Sequence, residues 1–161
     1  MVKSGYLLKV FNLLSYNCES EQYFCHHIID ELLDLVKSKY CVVFYNENKD
    51  QFELDFNDNY LESLAYKNDD TLFYRIEKDN LLRLVVVQKK ELIINDLNEL
   101  KLKRIFIMPV VENEKIISIV AVAGKEDDYD EIDISNLEIF MKIILKEYER
   151  RKIEKSLINE K

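Results

Sequence analysis

Apolar residues recur every three or four positions near the start of the chain, which is the spacing of one face of an α-helix. Residues 6–14 show this pattern. A longer stretch from Ser20 to about Lys39 shows it too, and Ser20 can act as its N-cap. Residues 80–90 and a last stretch beginning near residues 134–135 are also predicted to be helical.

Runs of β-branched and aromatic residues between these helices predict strands. The continuous run YCVVFY (40–45) and the alternating run QFELDF (51–56) form one predicted hairpin. RIFIMPVV (104–111) and KIISIVAVAG (115–124) form a second one. Proline lacks a backbone N–H group, so Pro109 indicates an edge or a bulge in that hairpin.

The remaining segments complete the predicted architecture. ELIIND (91–96) is predicted to be a further short strand. Residues 57–79 show no regular spacing of apolar residues, although many of them are apolar. Helices at both ends and hairpins between them are typical of an α+β fold with an antiparallel sheet. We predict about five to six strands in a single domain over residues 1–161.

Charge and composition narrow the function classes. The net charge of the chain is −8 and its basic residues are interspersed with acids, which argues against a nucleic-acid surface and against docking on an anionic membrane. No apolar run reaches the length of a membrane span and no signal peptide is recognisable, so a cytoplasmic protein is predicted. The chain has only two glycines and one proline, which excludes a glycine-rich phosphate loop.

Histidine and cysteine positions argue against catalysis and metal binding. His26 and His27 are adjacent, so on a helix they point about 100° apart and cannot share a metal. The chain has three cysteines, Cys18, Cys25 and Cys41. An odd number without a close pair favours reduced thiols over disulfides. A catalytic triad would need a histidine outside the first long helix, and the sequence has none. We predict no catalytic residue and no metal ligand.

The succession of elements near the C-terminus resembles that of a known family. A strand ending in Pro109 is followed by a polar turn, a second strand, and then Lys125, Tyr129 and Asp133 ahead of the last helix. This order resembles the C-terminal half of a GAF domain, and the upstream segments are similar to the rest of such a domain. The chain looks most like the GAF modules of multi-sensor histidine kinases, in which a segment similar to residues 150–161 begins an exit helix.

The resemblance implies a layout and several absences. It places the N- and C-terminal helices on one face of the sheet and a ligand pocket of helix and loop on the other. The pocket side, residues 57–100, contains no cysteine or histidine, which argues against a haem or a bilin. Reductases of free methionine sulfoxide in this family need cysteines over the pocket, whereas those of this chain lie earlier. The cofactor, if one exists, stays unknown.

The acidic run after the second hairpin is predicted to be a helix start. Lys125 and Asp133 can form a partly exposed ion pair that staples the loop, while Asp130 and Glu131 favour the positive end of the helix dipole. A related pattern accompanies cyclic-nucleotide binding in other GAF domains, but Ile134 stands where a further acid is usual there. The pair is therefore interpreted as structural.

Three small or polar residues depart from what is common in the family. Gly124 stands where asparagine is common, and Asn80 and Ser118 stand where glycine is usual. These differences bear on ligands that approach the backbone closely, and they leave the predicted fold unchanged.

A set of aromatic residues is the best candidate for a binding site. Tyrosine can line an apolar cavity and still offer a hydroxyl group to a ligand, although the same residues could equally form a plain core. Arg75 is the charged group best suited to meet a carboxylate or phosphate. The predicted ligand-binding residues are Tyr45, Phe52, Tyr60, Tyr66, Phe73, Tyr74, Arg75 and Phe106.

The terminal helices are predicted to form a homodimer. The last helix carries apolar residues that we interpret as covering more than one face, wider than a stripe lying on a sheet needs. The alternative is that both helices merely cover one face of a monomer. The predicted interface consists of Tyr6, Val10, Phe11, Leu14, Phe140, Ile144 and Tyr148.

These inferences lead to one functional hypothesis and two alternatives. The chain is predicted to be a non-catalytic sensory domain that binds an unidentified small molecule and relays the signal through a dimeric helical exit, as in two-component signal transduction. A ligand-free dimerisation module is the second hypothesis. An enzyme similar to a free methionine sulfoxide reductase is the third.

Overall fold

The computed structural model describes residues 21–45 and 64–159. The predicted helix over residues 6–14, the predicted strand QFELDF, and the candidate residues Tyr6, Val10, Phe11, Leu14, Phe52 and Tyr60 lie outside the described residues, as do Cys18 and the side chain of Cys25. The elements, in chain order, are α1 (Glu21–Leu35), β1 (Tyr40–Tyr45), β2 (Leu64–Lys67), α2 (Asp70–Lys78), α3 (Leu81–Gln88), β3 (Leu92–Ile94), β4 (Ile105–Glu112), β5 (Lys115–Ala123) and α4 (Glu131–Asn159).

The described strands form one antiparallel sheet in the order β2-β1-β5-β4-β3. The long strand β5 lies in the centre, where it pairs with β1 from Tyr40↔Ala123 to Tyr45↔Ser118 and with β4 on its other side. The α+β class and the antiparallel sheet predicted from the sequence are confirmed.

Pro109 lies where its missing N–H group costs little. The short strand β3 pairs with β4 only from Ile105 to Ile107, so the outer side of β4 at Pro109 has no partner among the described strands. The register of the β4–β5 pair also shifts between Val110 and Val111. Both features that the proline indicated, an edge and an irregularity, are therefore present beside it.

Helices cover both faces of the sheet. Alternation along β5 directs Val120 and Val122 toward α1 and α4, and Ile119 and Ala121 toward α2 and α3. Two buried clusters result, one on each face. The predicted layout, with the C-terminal helix on one face and the pocket-side helices on the other, is confirmed for the described elements.

Residues 57–79 contain two elements that the sequence pattern did not reveal. Strand β2 has four residues and helix α2 has nine, which is too short for a period to stand out. Local capping fixes the start of α2, because the Asp69 side chain accepts a hydrogen bond from the Thr71 N–H group at 2.7 Å. Leu72 and Ile76, four residues apart, form the buried side of the helix.

The apolar residues that α4 buries form one stripe directed at the sheet, and this corrects the predicted interface. Phe140, Ile144 and Tyr148 are almost completely buried within their own chain, together with Leu137, Met141 and Leu145. The spacing of these six residues is that of one helical face, as expected for a helix lying on a sheet. Phe140, Ile144 and Tyr148 therefore do not lie on the surface where a second subunit could contact them.

Candidate functional site

The structure divides the predicted aromatic residues between the two faces of the sheet. Tyr45, Tyr66 and Phe106 lie on the face covered by α1 and α4, whereas Phe73 lies on the face covered by α2 and α3. Tyr74 points away from both clusters and is 65% exposed. The described members of the set therefore do not meet in one pocket.

The aromatic residues on the α1/α4 face serve packing. Phe106 is fully buried and its ring lies 5.4 Å from that of Tyr129, while Tyr45 contacts Tyr148 edge-on at 5.1 Å. Tyr45 and Tyr66 also line a shallow apolar cleft, whose volume of about 30 Å³ is far below the roughly 300 Å³ of a small ligand site. These side chains contribute to the core.

Phe73 and Arg75 both lie on helix α2 at the margin of the opposite cluster, but two residues apart and therefore on different sides of the helix. The ring of Phe73 stacks on Phe44 with centroids 6.0 Å apart, and the Lys67 ammonium group lies 4.0 Å from its centre. Arg75 forms ion pairs with Asp79, through its Nε atom, and with Glu99. Its charge is thus balanced by two carboxylates of the chain, with which an anionic ligand would have to compete.

The β5–α4 junction, residues 124–133, contains many polar contacts, among them the predicted ion pair. Lys125 Nζ lies 2.7 Å from Asp133 Oδ2. The two side chains are only 14% and 9% exposed, so the pair is more deeply buried than the sequence analysis expected. Because an unpaired charge at such a site is costly, the two residues depend on each other.

The acidic run of the junction is a helix start, as predicted. The Asp130 carboxylate accepts hydrogen bonds from the N–H groups of Ile132 and Asp133, and Asp133 in turn accepts one from the Asp130 N–H group. This reciprocal arrangement satisfies N–H groups that the first turn of α4 leaves open. The bond from the Asp133 N–H group is the main reason that the pKa of Asp130 is lowered.

Tyr129 ties the junction to two other elements. Its N–H group donates to Asn95 Oδ1 at 2.9 Å and its carbonyl accepts from Asn95 Nδ2 at 3.2 Å, just after β3. Its hydroxyl lies 2.6 Å from Ser38 Oγ, after the end of α1, and burial raises the pKa of this phenol. Sequence reasoning missed Asn95 and Ser38, because nothing in their local pattern marks a contact so distant along the chain.

Gly124 and Arg104 shape the loop that starts the junction. Gly124 has a φ of +89°, and a β-carbon there would lie 3.0 Å from the β-carbon of Lys39. Arg104 donates to the carbonyls of Lys125 and Glu126 and pairs with Asp128 at 2.9 Å. Arg104, just before β4, therefore bonds the loop at three of its residues.

Two further departures from the resembled pattern have a structural explanation. Ser118 is fully buried in β5, and its hydroxyl donates to the Phe44 carbonyl at 2.7 Å. Asn80 precedes α3 with a φ of 56°, a left-handed conformation that asparagine tolerates better than most residues. Both positions therefore accept their side chains without changing the fold.

Cys41 is placed where a thiol cannot act as a nucleophile. It is fully buried in β1, and burial raises the pKa of its thiol well above the usual value. A thiolate, which is the reactive form, is therefore disfavoured. Among residues 21–45 and 64–159, no three histidine, cysteine, aspartate or glutamate side chains converge as metal ligands.

We expect Cys41 to be unreactive in the folded chain. In a Cys18→Ser, Cys25→Ser background, a disulfide reagent such as Ellman's should label native Cys41 at least roughly 100-fold more slowly than the urea-unfolded chain. The measurement is the absorbance change with time in both states. Equal rates would show that the thiol is accessible and would reopen thiol chemistry.

No helix in the described part of the chain combines the length and the apolar character needed to cross a membrane.

Comparisons with known proteins bear on the family. The family model described as GAF domain matches residues 18–144, which is well over half of the chain. No curated protein matches the chain. All the described strands and the β5–α4 junction thus lie within one continuous match to the family.

Solved structures with the same fold come from a phosphotransferase, a putative sensor histidine kinase and fRMsr. The GAF domain of an Acinetobacter phosphoenolpyruvate-protein phosphotransferase is 12% identical, with a TM-score of 0.58 over 94% of this chain and 97% of that one. The GAF domain of a putative sensor histidine kinase from Pseudomonas syringae pv. tomato is 9% identical, with a TM-score of 0.58 over 96% and 90%. Reduced fRMsr of Staphylococcus aureus is 16% identical, with a TM-score of 0.55 over 92% and 99%.

At these identities the solved structures establish the fold alone. The family match over residues 18–144 establishes more, and it agrees with the antiparallel sheet, the helices on both faces and the Lys125–Asp133 junction. The chain belongs to the GAF domain family.

Proposed function

We propose that the chain is a non-catalytic sensory domain that binds a small molecule on the α2/α3 side of the sheet and passes the bound state to helix α4 in a homodimer. Membership of the GAF family carries this proposal, because its domains are commonly sensory. The GAF domain of a putative sensor histidine kinase shares the fold. Two-component signalling is the output we infer.

The margin of the α2/α3 layer is the proposed binding region. Its centre is occupied by the protein's own side chains, among them Phe44, Leu72 and Ile76. Phe73 and Arg75 are half-buried at the edge of this cluster, where they offer an aromatic ring on one side of α2 and a cation on another. A ligand with a flat or apolar body and a carboxylate or phosphate would fit this combination.

The proposed relay follows strand β5. This strand packs under α2 and α3 with Ile119 and Ala121, and under α1 and α4 with Val120 and Val122. Its end leads through residues 124–130 directly into α4, where the buried Lys125–Asp133 pair fixes the first turn. A displacement of β5 on one face would therefore be transmitted to α4 on the other.

Removing any ligand that copurifies with the protein tests the proposal. The chain is unfolded in urea, freed of small molecules by gel filtration and refolded. A ligand that binds only the folded state raises stability by mass action, so the refolded protein should melt at a lower temperature than the purified one. Adding the small-molecule extract of the purified protein should restore the original melting temperature.

Matched variants locate the effect. Arg75→Met should lose the stabilisation by the extract, whereas Lys90→Met, at an exposed position after α3, should retain it. Identical melting temperatures before and after ligand removal would contradict binding. They would favour the alternative of a ligand-free dimerisation module, which the close packing of Phe44, Leu72 and Ile76 in the α2/α3 layer supports.

A second candidate function is an enzyme, because fRMsr shares the fold. The burial of Cys41 argues against it for the described cysteine. Incubation of the purified chain with free methionine sulfoxide and dithiothreitol tests this candidate. We expect no methionine above the level formed without protein, and catalytic turnover would replace the sensory proposal.

A further inference from the structure

A cleft with a volume of about 310 Å³ lies between the β4–β5 turn and helix α4. It opens on the α1/α4 face of the sheet, since its apolar residues Ile117 and Leu145 belong to the cluster on that face. The volume reaches the lower limit for small-molecule sites, roughly 300 Å³. The cleft is thus separate from the binding region proposed above, which lies on the other face.

An irregularity in β5 shapes one wall of the cleft. Val110 pairs with Ser118, but the next pair is Val111 with Ile116, so Ile117 has no partner on β4. A bulge of this kind bends a strand and redirects the side chain of the extra residue. Ile117 accordingly packs against the α1/α4 cluster, where it forms the apolar part of this wall.

Helix α4 supplies the other wall with one of its sides. Lys142, Leu145, Lys146 and Glu149 follow each other at intervals of three and four, so their side chains lie on the same side of the helix. Leu145 is buried, whereas the three charged residues are exposed. This wall therefore combines an apolar base with two ammonium groups and a carboxylate.

The charges that line the cleft are not paired with one another. Glu112, Lys146 and Glu149 form no ion pair and no side-chain hydrogen bond within the part of the chain that the structure describes. Lys142 pairs with Glu138 at 3.0 Å, but both side chains are about half exposed, and such pairs contribute little. Opposite charges that line one cleft without meeting leave room for a molecule that carries both.

We propose that this cleft binds a free amino acid with an aliphatic side chain. Its carboxylate is bound by Lys142 and Lys146, its ammonium group by Glu112 and Glu149, and its side chain by the apolar part of the cleft. Charge-assisted hydrogen bonds of both signs favour a zwitterion over a fatty acid or an amine, each of which leaves one pair of charges without a partner.

The proposed site gives the chain a second input that does not depend on the α2/α3 side. A bound amino acid would connect the turn of the β4–β5 hairpin with α4, one turn of helix around Tyr148, the last residue of α4 in the core cluster. It would therefore fix the part of α4 at which the helix leaves the sheet.

Titration of the isotope-labelled chain with L-leucine and with L-valine, followed by NMR, tests the inference. We expect saturable shifts of the Asn113 side-chain amide, which lines the cleft, and of the Ile117 and Leu145 backbone amides. Isocaproate lacks the ammonium group and isoamylamine lacks the carboxylate, so each should bind at least roughly tenfold more weakly than leucine. The inference is overturned if neither amino acid shifts these residues, or if either analogue binds as well as leucine.

Matched variants assign the charges. Lys146→Met and Glu149→Gln should each weaken leucine binding roughly tenfold, whereas Lys90→Met, at an exposed position after α3, should leave it unchanged. All the substituted side chains are exposed, and circular dichroism checks that the variants are folded. Unchanged affinity in either cleft variant overturns the assignment. Arg75→Met should bind leucine normally, which separates this site from the one on the α2/α3 side.

Discussion

Replacing Gly124 with alanine should lower the free energy of unfolding by about 2–4 kcal/mol. Two effects add at this position. The backbone φ of +89° lies in the region that residues with a β-carbon rarely adopt. The new methyl group would also lie 3.0 Å from Lys39 Cβ and 3.1 Å from Tyr40 Cδ2, so the end of β5 and the start of β1 must separate.

Urea unfolding of the variant measures this loss. Asp127→Ala in the same loop is the control, because Asp127 is exposed and its replacement should change stability by less than about 0.5 kcal/mol. A cost of Gly124→Ala as small as that of the control would show that the loop adopts another conformation than the one described. The conformation described for residues 124–133 would then be wrong at its first residue.

Lys125→Met should lower the free energy of unfolding by about 2–4 kcal/mol, more than an exposed ion pair contributes. The variant leaves the Asp133 carboxylate buried without its cation. The cost is reduced because Asp133 still accepts the Asp130 N–H group at 3.1 Å. A partly exposed pair, as the sequence predicts, would contribute no more than about 1 kcal/mol.

A double-mutant cycle isolates the pair. Lys125→Met combined with Asp133→Asn should cost clearly less than the sum of the single changes, because the second change removes the orphaned charge. Additive losses, or a loss below about 1 kcal/mol for Lys125→Met, would show that the two charges are not coupled. Chemical denaturation of the four proteins at neutral pH provides the measurement.

The family and the fold class could be predicted because their signals are local. Pro109, Gly124, Lys125 and Asp133 occur in an order set by one strand, one turn and one helix start, and the structure contains each of these elements. Long apolar runs in β4 and β5 marked the centre of the sheet equally well. Such features depend little on how distant segments meet.

The candidate site was harder to predict because the central strands are apolar on both faces. YCVVFY gives no sign of which alternate residues face α1 and α4, so Tyr45 was grouped with residues of the opposite face. Phe106 was assigned to a pocket and instead packs against Tyr129. The face of the sheet that each side chain of such a strand occupies is decided by tertiary packing.

The interface prediction shows a similar limit. Phe140, Ile144 and Tyr148 were interpreted as too many apolar residues for one sheet contact, yet the sheet buries all three. The less conspicuous residues Ile139 and Ile153 are the exposed ones. Counting apolar residues on a helix does not reveal how wide the opposing surface is.

Small-molecule binding is the central claim, and a native mass spectrum of the freshly purified chain tests it most directly. The proposal predicts a folded species heavier than the sequence mass by the mass of one small molecule per chain, and the excess should disappear when the same sample is sprayed from denaturing solvent. Native and denatured spectra that both give the bare chain mass per subunit would contradict it.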